Sequence, residues 1–249
     1  MTIKKVIRAL PGIAATFLML SCTNTPSTSE LGARTVEQAS HQDRLQTIYS
    51  ELGKTGGKVF TLNPKLSAVK IYAFRAGTAA MLGHNHVLSS PQFSGFVYLP
   101  RDGTSSARFD LEFRLDQLEI DNPESRSNLG SAFSSTPTPG SIKRTRDHML
   151  GEDNLQADRF PFVRIHSIRI AGEAPKLAAK VQVELHGQQR EMWVPLSVEG
   201  LPDRLSVTGS FVLRQSEFGI HPYSVLGGFL AVQDEVLIEF SLLGAQLVQ

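Results

Sequence analysis

Residues 107–116 alternate between apolar and charged side chains, and this alternation constrains the fold more than any other feature of the chain. In the segment SARFDLEFRLDQL, apolar residues occupy positions 107, 109, 111, 113 and 115, and a charged residue follows each of them. A period of two over so many residues predicts a β-strand with one apolar face and one face in water. The same period recurs in KVQVEL (180–185), LSVTGSFVLR (205–214) and EVLIEFSL (235–242).

Shorter segments of strand character lie at Ala68–Ala76, Gln92–Leu99, Phe162–Ile170 and Met192–Val198. The chain therefore carries about eight predicted strands, most of them joined by short polar or glycine-containing turns. Long alternating strands in antiparallel order favour a barrel, because closure removes the unpaired edges that an open sheet would present. We predict an all-β protein built on an antiparallel β-barrel.

Two segments interrupt the period of two. Apolar parity shifts between Ile165 and Ile168, which predicts a β-bulge that bends the strand there. Residues 123–141, PESRSNLGSAFSSTPTPGS, are rich in Ser, Pro and Gly. They predict a flexible surface loop that leads into a helical turn over residues 142–152.

The N-terminus has the three-part pattern of an export signal. Basic residues precede an apolar run from Ile13 to Leu20, which is too short to span a membrane as a helix. The run ends at Cys22, the single cysteine of the chain, in a context that resembles the bacterial lipoprotein box. We predict a signal peptide over residues 1–21 and a lipid on Cys22 that anchors the chain to a membrane. The alternative is an ordinary signal peptide that is cleaved nearby.

Residues 22–64 predict a Ser/Thr/Pro-rich tether that contains one short helix. Thr35 and Gln38 form a capping-box pattern at the start of this helix, and Gly53 is placed to end it. Apolar residues at 45, 48, 49 and 52 follow at helical spacing, so one face of the helix can pack on the neighbouring domain. The barrel domain is predicted over residues 65–249.

The balance of basic and acidic residues bears on whether the protein binds nucleic acid. The 25 basic residues nearly balance the 24 acidic ones, and no stretch of the chain concentrates positive charge. A nucleic-acid-binding protein needs a basic surface that can neutralise phosphates. We therefore expect no nucleic-acid partner.

Two histidines stand one residue apart in MLGHNHVLSS (81–90). In an extended chain the side chains of His84 and His86 project to one face, so both could bind a single metal ion. A third ligand would have to come from His148, His221 or a distant carboxylate. No Cys-x-x-Cys or His-Glu-x-x-His motif frames the pair. We favour the other interpretation, in which the histidines form hydrogen bonds at a strand edge near the mouth of the barrel.

The sequence shows no motif of an enzyme. It has no Gly-x-Ser-x-Gly elbow, no phosphate-binding loop and no Rossmann glycine pattern. Asp147 and His148 are adjacent, and adjacent side chains do not face each other on a helix or a strand. We predict that the protein is not an enzyme.

The apolar faces of the strands are the remaining candidate site. An eight-stranded barrel is just wide enough to fill with its own side chains or to enclose one small ligand. If the barrel is hollow, nine inward residues are predicted to line the cavity and bind an apolar ligand: Phe109, Leu111, Phe113, Val183, Leu185, Phe211, Leu213, Ile238 and Phe240.

The C-terminal half carries the most specific resemblance to a known family. Its motifs are Leu185–Gln188 with Val194–Leu196, Phe211–Arg214 with Glu217–Ile220, and Gln233–Val236 with Ile238. They resemble a strand pair, a hairpin and the closing strand of the YceI-like family, exported bacterial barrels that bind lipids and polyisoprenoids. The resemblance extends over residues 65–244.

The upstream part departs from the family pattern in two places. Arg146–Leu150 is similar to a helix of the family, but Asn154 and Leu155 stand where the family has paired phenylalanines. Gly83–Val87 holds two histidines where the family has one. The resemblance implies a structural role for at least one of the two histidines and leaves the second unexplained.

The resemblance implies a lipocalin-like barrel that carries a polyisoprenoid or fatty-acyl chain without catalysis and without a cofactor. Combined with the signal, it predicts an exported carrier on the periplasmic side of the cell envelope, anchored to a membrane by lipid. Two alternatives stay open: a metal- or haem-associated protein that uses His84 and His86, and a structural envelope protein with a fully packed barrel. A homodimer that pairs across a strand edge also stays open.

Overall fold

The computed structural model describes residues 28–247, with side chains from residue 41 onward. The chain divides into two compact units, Met1–Ser40 and His41–Gln249. The described part of the first unit is the beginning of helix α1 (Thr28–Lys54). The second unit holds the end of α1 and the rest of the fold. The predicted signal peptide and Cys22 lie outside the described residues.

Strands dominate the second unit. They are β1 (Lys58–Leu62), β2 (Ala68–Ala76), β3 (His86–Ser89), β4 (Ser94–Leu99), β5 (Arg108–Arg114), β6 (Glu119–Ile120), β7 (Phe162–Glu173), β8 (Lys176–Leu185), β9 (Gln188–Glu199), β10 (Leu205–Arg214), β11 (Ser224–Val225) and β12 (Leu230–Gln246). Two further helices, α2 (Pro123–Ser127) and α3 (Pro139–Leu150), lie between β6 and β7.

Eight of these strands close into a barrel. Strands β1, β4, β5, β7, β8, β9, β10 and β12 pair in that order, each antiparallel to the next, and β12 pairs back to β1. The closing register places Thr61 opposite Ala245. The predicted eight-stranded antiparallel barrel is therefore confirmed. Strand β1 lies within the segment predicted as a tether, so the barrel begins before residue 65.

Strand β12 holds the barrel and a small extension together. It has 17 residues, and Gly244–Gln246 pair with β1 while Ala231–Ser241 pair with β2. Strand β3 pairs with β2, and β6 pairs with β3, so these three strands continue the wall at one end of the barrel. Because β12 is longer than its neighbours, one strand can pair with both β1 and β2 along the same edge.

The alternation in the sequence corresponds to inside and outside of the wall. In β8 every second residue is buried: Leu177, Ala179, Val181, Val183 and Leu185. The predicted bulge in β7 is confirmed by a shift of register between Ser167 and Arg169 against β8. The bulge accommodates the change of apolar parity, because one extra residue moves the following side chains to the other face.

Part of the charged face of β5 is not in water, contrary to the prediction: Arg108 is exposed, but the second half of the strand is buried. Glu112 is 1% exposed and Arg114 is 4% exposed. The end of α1 packs over this face, where Tyr49 stacks on Phe96 of β4 with 5.4 Å between the ring centroids. The phenol of Tyr49 also donates a hydrogen bond of 2.7 Å to Asp110 Oδ2. Helix α1 covers the polar face near Asp110, and the two buried charges have partners: Glu112 pairs with Arg164, and Arg114 pairs with Asp116.

Helix α1 begins at Thr28 rather than at the capping pattern of residues 35–38, so the prediction of a short helix was wrong. The prediction of a flexible loop over residues 123–141 was also wrong. This segment contains α2, and its Arg126 is buried and donates hydrogen bonds to the carbonyl oxygens of Phe133 at 2.9 Å and Ser135 at 3.0 Å. No helix in the described part of the chain has the length and apolar character needed to cross a bilayer.

Candidate functional site

The barrel encloses an apolar cavity of about 160 Å³. Side chains from each strand of the closed barrel line it, together with Val69 and Ile71 of β2. Thr104, on the turn between β4 and β5, is the one lining residue with a polar side chain. Such an interior offers no charged partner to a ligand, so it suits an uncharged apolar chain. It also argues against the alternative of a fully packed structural barrel.

Eight of the nine residues predicted to line the cavity do so: Phe109, Leu111, Phe113, Val183, Phe211, Leu213, Ile238 and Phe240. Leu185 is the exception. It is 7% exposed and belongs to the surrounding apolar core, at the end of β8 beyond the cavity. Contact of the eight residues with a ligand stays a prediction.

About two thirds of the lining residues were not predicted from the sequence, among them Val97, Leu196 and Val207. Val97 and Leu196 lie on strands that are shorter or less regular than β5 and β8, whereas Val207 lies on the regular strand β10. Their spacing along each strand could have identified them. Val207, for example, is four residues from the predicted Phe211 and therefore lies on the same face of the strand. The shorter strands alternate over too few residues for that signal to stand out.

Several inward side chains are only half-buried, which shows that the barrel is hollow at their level. Phe211 of β10 and Phe240 of β12 are examples, with 6.5 Å between their ring centroids and 60° between their planes. Ile238 lies opposite Phe211 in the register and is also half-buried. Exposed apolar surface on an inward face is surface that a ligand can cover.

One end of the barrel is closed by packed side chains. The turn Gln215–Phe218 folds under this end, and Phe218 and Ile220 are 0% and 1% exposed. The carbonyl oxygen of Phe218 lies 3.0 Å from Nδ1 of His186, which ties the turn to the end of β8. At the other end the cavity reaches the turns that carry Thr104 and Leu201, both half-buried.

Of the two histidines, His86 serves the scaffold at the edge of β3, and the ring of His84 packs edge-on against that of His86. His86 Nδ1 lies 2.6 Å from Asp121 Oδ2, and the Val87 N–H donates to Asp121 Oδ1 at 3.1 Å. Arg126 also pairs with Asp121 and donates a hydrogen bond of 2.8 Å to the carbonyl oxygen of Asn85. Burial alone would raise the pKa of Asp121, but the hydrogen bonds and charges of these partners outweigh it and lower the pKa.

The geometry gives no support to a metal site at the pair. The rings of His84 and His86 are 6.4 Å apart between centroids. Asp121 pairs with the Nδ1 of His86, so only the Nε2 of that ring remains to bind a metal ion. His148, on α3, packs against Tyr223 with 5.2 Å between ring centroids. Within residues 28–247, no group of three or more His, Cys, Asp or Glu residues is placed to hold a metal ion.

A second, polar pocket of about 130 Å³ lies on the outer side of the wall under α1. Beside it, Glu112 Oε2 accepts a hydrogen bond of 2.6 Å from Arg164 Nε and lies 3.0 Å from His41 Nδ1. Burial alone would lower the pKa of Arg164, but the carboxylates of Glu112 and Glu184 outweigh it and raise the pKa. Sequence reasoning missed this cluster because its members come from α1, β5, β7 and β8.

The family comparison and one solved structure point to the same kind of barrel. The model of the YceI-like domain matches residues 60–243. The crystal structure of BcnA from Burkholderia cenocepacia is similar with a TM-score of 0.55 and 16% identity, over 73% of this chain and 98% of that chain. A YceI protein of Campylobacter jejuni has a TM-score of 0.47 and 8% identity, over 65% of this chain and 85% of that chain. No curated protein matches the sequence.

Proposed function

The chain belongs to the YceI-like family, and on this premise we propose that it carries a single polyisoprenoid or fatty-acyl chain in the bacterial cell envelope. The observation that carries the proposal is the apolar cavity inside the closed barrel. Each methylene group that leaves water for such an interior gains about 0.8 kcal/mol. About a dozen buried groups therefore contribute roughly 10 kcal/mol without a polar contact.

The volume of the cavity limits the length of the chain that the barrel can enclose. Its volume of about 160 Å³ is close to that of an engineered cavity of about 150 Å³ that binds benzene. In its present shape the barrel thus admits a short part of a chain. A longer part requires the half-buried rings of Phe211 and Phe240 to rotate toward the wall.

Carriage of this kind needs no catalytic residue. The family is one of binding proteins, and the lining of the cavity holds no acid, base or nucleophile beyond the hydroxyl of Thr104. We propose that the protein is a non-enzymatic carrier. The partner is then the apolar chain itself, held by burial of its methylene groups.

We also propose that the chain is exported and anchored to a membrane by a lipid. They rest on the apolar run from Ile13 to Leu20 and on Cys22, which fit a lipoprotein signal. An anchored carrier stays within reach of the membrane that holds its ligand. We propose a location on the periplasmic side of the envelope.

Native mass spectrometry tests the carrier function directly. The full chain is purified from its host membranes in a mild detergent, and its mass is compared before and after extraction with organic solvent. We expect a stoichiometric lipid and a rise in the melting temperature when a long-chain polyisoprenol is added to the extracted protein. A barrel that retains no lipid and gains no thermal stability from polyisoprenols or fatty acids would exclude this function.

A further inference from the structure

Strands β9 and β10 are neighbours in the barrel wall, but only part of their length is paired. The ladder joins Ser206–Gly209 to Leu196–Glu199. On their other sides the two strands are paired almost throughout, β9 with β8 and β10 with β12. Continuing this register opposes Glu191–Pro195 of β9 to Ser210–Arg214 of β10, and no ladder joins these two stretches. We call these two stretches the seam.

The sequence explains where the ladder stops. Pro195 has no N–H to donate, and prolines within sheets are confined to edges and bulges. Beside it, a Cβ atom on Gly209 would lie 2.6 Å from the carbonyl oxygen of Pro195 and 2.5 Å from the ring of Phe240. The two backbones approach closely at Gly209, where only glycine fits, and pairing ends with the next residue. The other end of the seam is bounded by the contact between His186 and Phe218.

Around Trp193 and Val212 the seam is apolar on both sides of the wall, while the exposed charges Glu191 and Arg214 lie at its far end. On the inside, Val194, Phe211 and Leu213 line the cavity. On the outside, Trp193 is 49% exposed and Val212 is 57% exposed. The segments MWVPLSV (192–198) and LSVTGSFVL (205–213) contain no charged residue. A methylene chain that crosses the wall here stays in contact with apolar side chains from the surface to the cavity.

The seam is also where the wall can part at the lowest cost. Separating β8 from β9, or β10 from β12, breaks a continuous series of backbone hydrogen bonds. Separating β9 from β10 beyond Gly209 displaces only side chains. If a long chain is to enter through the wall of the barrel, two neighbouring strands must be able to separate.

We propose that the seam is a lateral portal through which the apolar chain enters the cavity, with Trp193 and Val212 at its outer mouth and Phe211 at its inner mouth. This proposal rests on the proposed carrier function. It assigns the entry route to the wall between β9 and β10, and not to the end of the barrel that carries Thr104 and Leu201.

A reversible staple across the seam tests the portal. In the full chain with Cys22→Ser, Pro195 and Ser210 are both replaced by Cys, and the two exposed positions are linked with 1,2-ethanediyl bismethanethiosulfonate. The matched control carries Ser197→Cys and Thr208→Cys, which are partners within the existing ladder. The same variants without the linker, and with the linker removed by dithiothreitol, serve as references.

Loading is measured by stopped-flow fluorescence as cis-parinaric acid transfers from phosphatidylcholine vesicles to the protein. We expect the staple at 195 and 210 to slow loading by about tenfold or more and dithiothreitol to restore it, with no change in the control pair. Equal loading rates with and without the staple overturn the portal, and so does equal slowing in the control. If the unstapled protein takes up no probe and retains no lipid on purification, the carrier function itself fails.

Discussion

The Nδ1 atom of His86 lies 2.6 Å from Oδ2 of Asp121, a carboxylate whose side chain has no exposed surface. The same carboxylate pairs with Arg126 and accepts the N–H of Val87. It therefore joins the start of β3 to the segment that follows β6. Of the two histidines that could suggest a metal site, His86 belongs instead to a buried charge network that fixes one end of the wall.

Replacing Asp121 by Asn should destabilise the protein strongly. The substitution leaves Arg126, which is 7% exposed, without its charged partner, and breaking a buried pair from one side typically costs about 3–5 kcal/mol. The free energy of unfolding is measured by urea denaturation at pH 7. Asp203→Asn is the control, because Asp203 pairs with Lys58 on the surface and should contribute at most about 1 kcal/mol. Similar losses in the two variants would contradict the assignment.

The lowered pKa of Asp121 predicts a loss of stability in acid. An aspartate in the unfolded chain has a pKa of about 3.9, and the folded value is lower. The unfolded state thus takes up the proton first as the pH falls, so the stabilisation is complete above about pH 4 and is lost as the pH falls toward the folded pKa. Denaturation with urea between pH 5 and pH 2 should show a steeper decline for the wild type than for Asp121→Asn. Parallel declines would show that other carboxylates dominate.

The fold could be predicted because the strands that define it have one apolar face. The alternation in β8 and β10 specifies which residues point inward, and Val183 and Phe211 line the cavity as expected. The same reasoning failed for β5, because a period of two says that one face is polar but not that this face meets water. Helix α1 covers Glu112 there, and the sequence of β5 alone does not predict that a helix packs on this face.

The network around Asp121 was not predicted for a related reason. Its members are local in space but separated along the chain, and Arg126 lies in a segment whose composition is typical of a flexible loop. A single buried arginine that binds several backbone carbonyl groups orders such a segment. The position of the seam likewise depends on the register between β9 and β10. Pro195 predicts an interruption of pairing but does not specify that register.

Cys22→Ser should release the protein from the membrane if Cys22 carries a lipid. The thiol is the attachment site in the proposed lipoprotein signal, and serine cannot accept the lipid there. Cell fractionation followed by immunoblotting should move the variant from the membrane fraction to the soluble periplasm. Ser21→Ala, which keeps the cysteine, is the matched control. A variant that stays in the membrane fraction would point to another means of attachment.

Ile238→Phe should weaken ligand binding by filling the cavity. Ile238 is half-buried on the inner face of β12 opposite Phe211, so a larger ring occupies space that a chain would use. We expect the affinity for cis-parinaric acid to fall by about tenfold, the loss of roughly two methylene contacts. Ser241→Phe places the same ring on the exposed outer face of β12 and should leave affinity unchanged. Equal affinities in Ile238→Phe and the wild type would show that the chain binds elsewhere.

Tyr49 should make the fold sensitive to alkali. Burial, followed by the negative charge of Asp110, raises the pKa of Tyr49 far above that of a free phenol, whereas in the unfolded chain the phenol ionises near pH 10. The stabilisation is therefore complete below about pH 10 and is lost as the pH rises above it, because the unfolded state gives up its proton first. Tyr72, which donates a hydrogen bond of 2.8 Å to Glu239, has its pKa raised to about 12 and acts in the same direction.

Tyr49→Phe separates the two contributions of this side chain. It keeps the ring that stacks on Phe96 and removes the hydrogen bond of 2.7 Å to Asp110, so it should cost about 1 kcal/mol at pH 7. Above pH 10 the difference from the wild type should shrink, because the phenylalanine has no proton to lose. Tyr223→Phe is the control, since Tyr223 is 38% exposed. Urea denaturation at pH 7, 9 and 11 measures the free energy of unfolding of all three proteins. If the difference between Tyr49→Phe and the wild type stays constant from pH 7 to pH 11, burial does not raise the pKa of Tyr49.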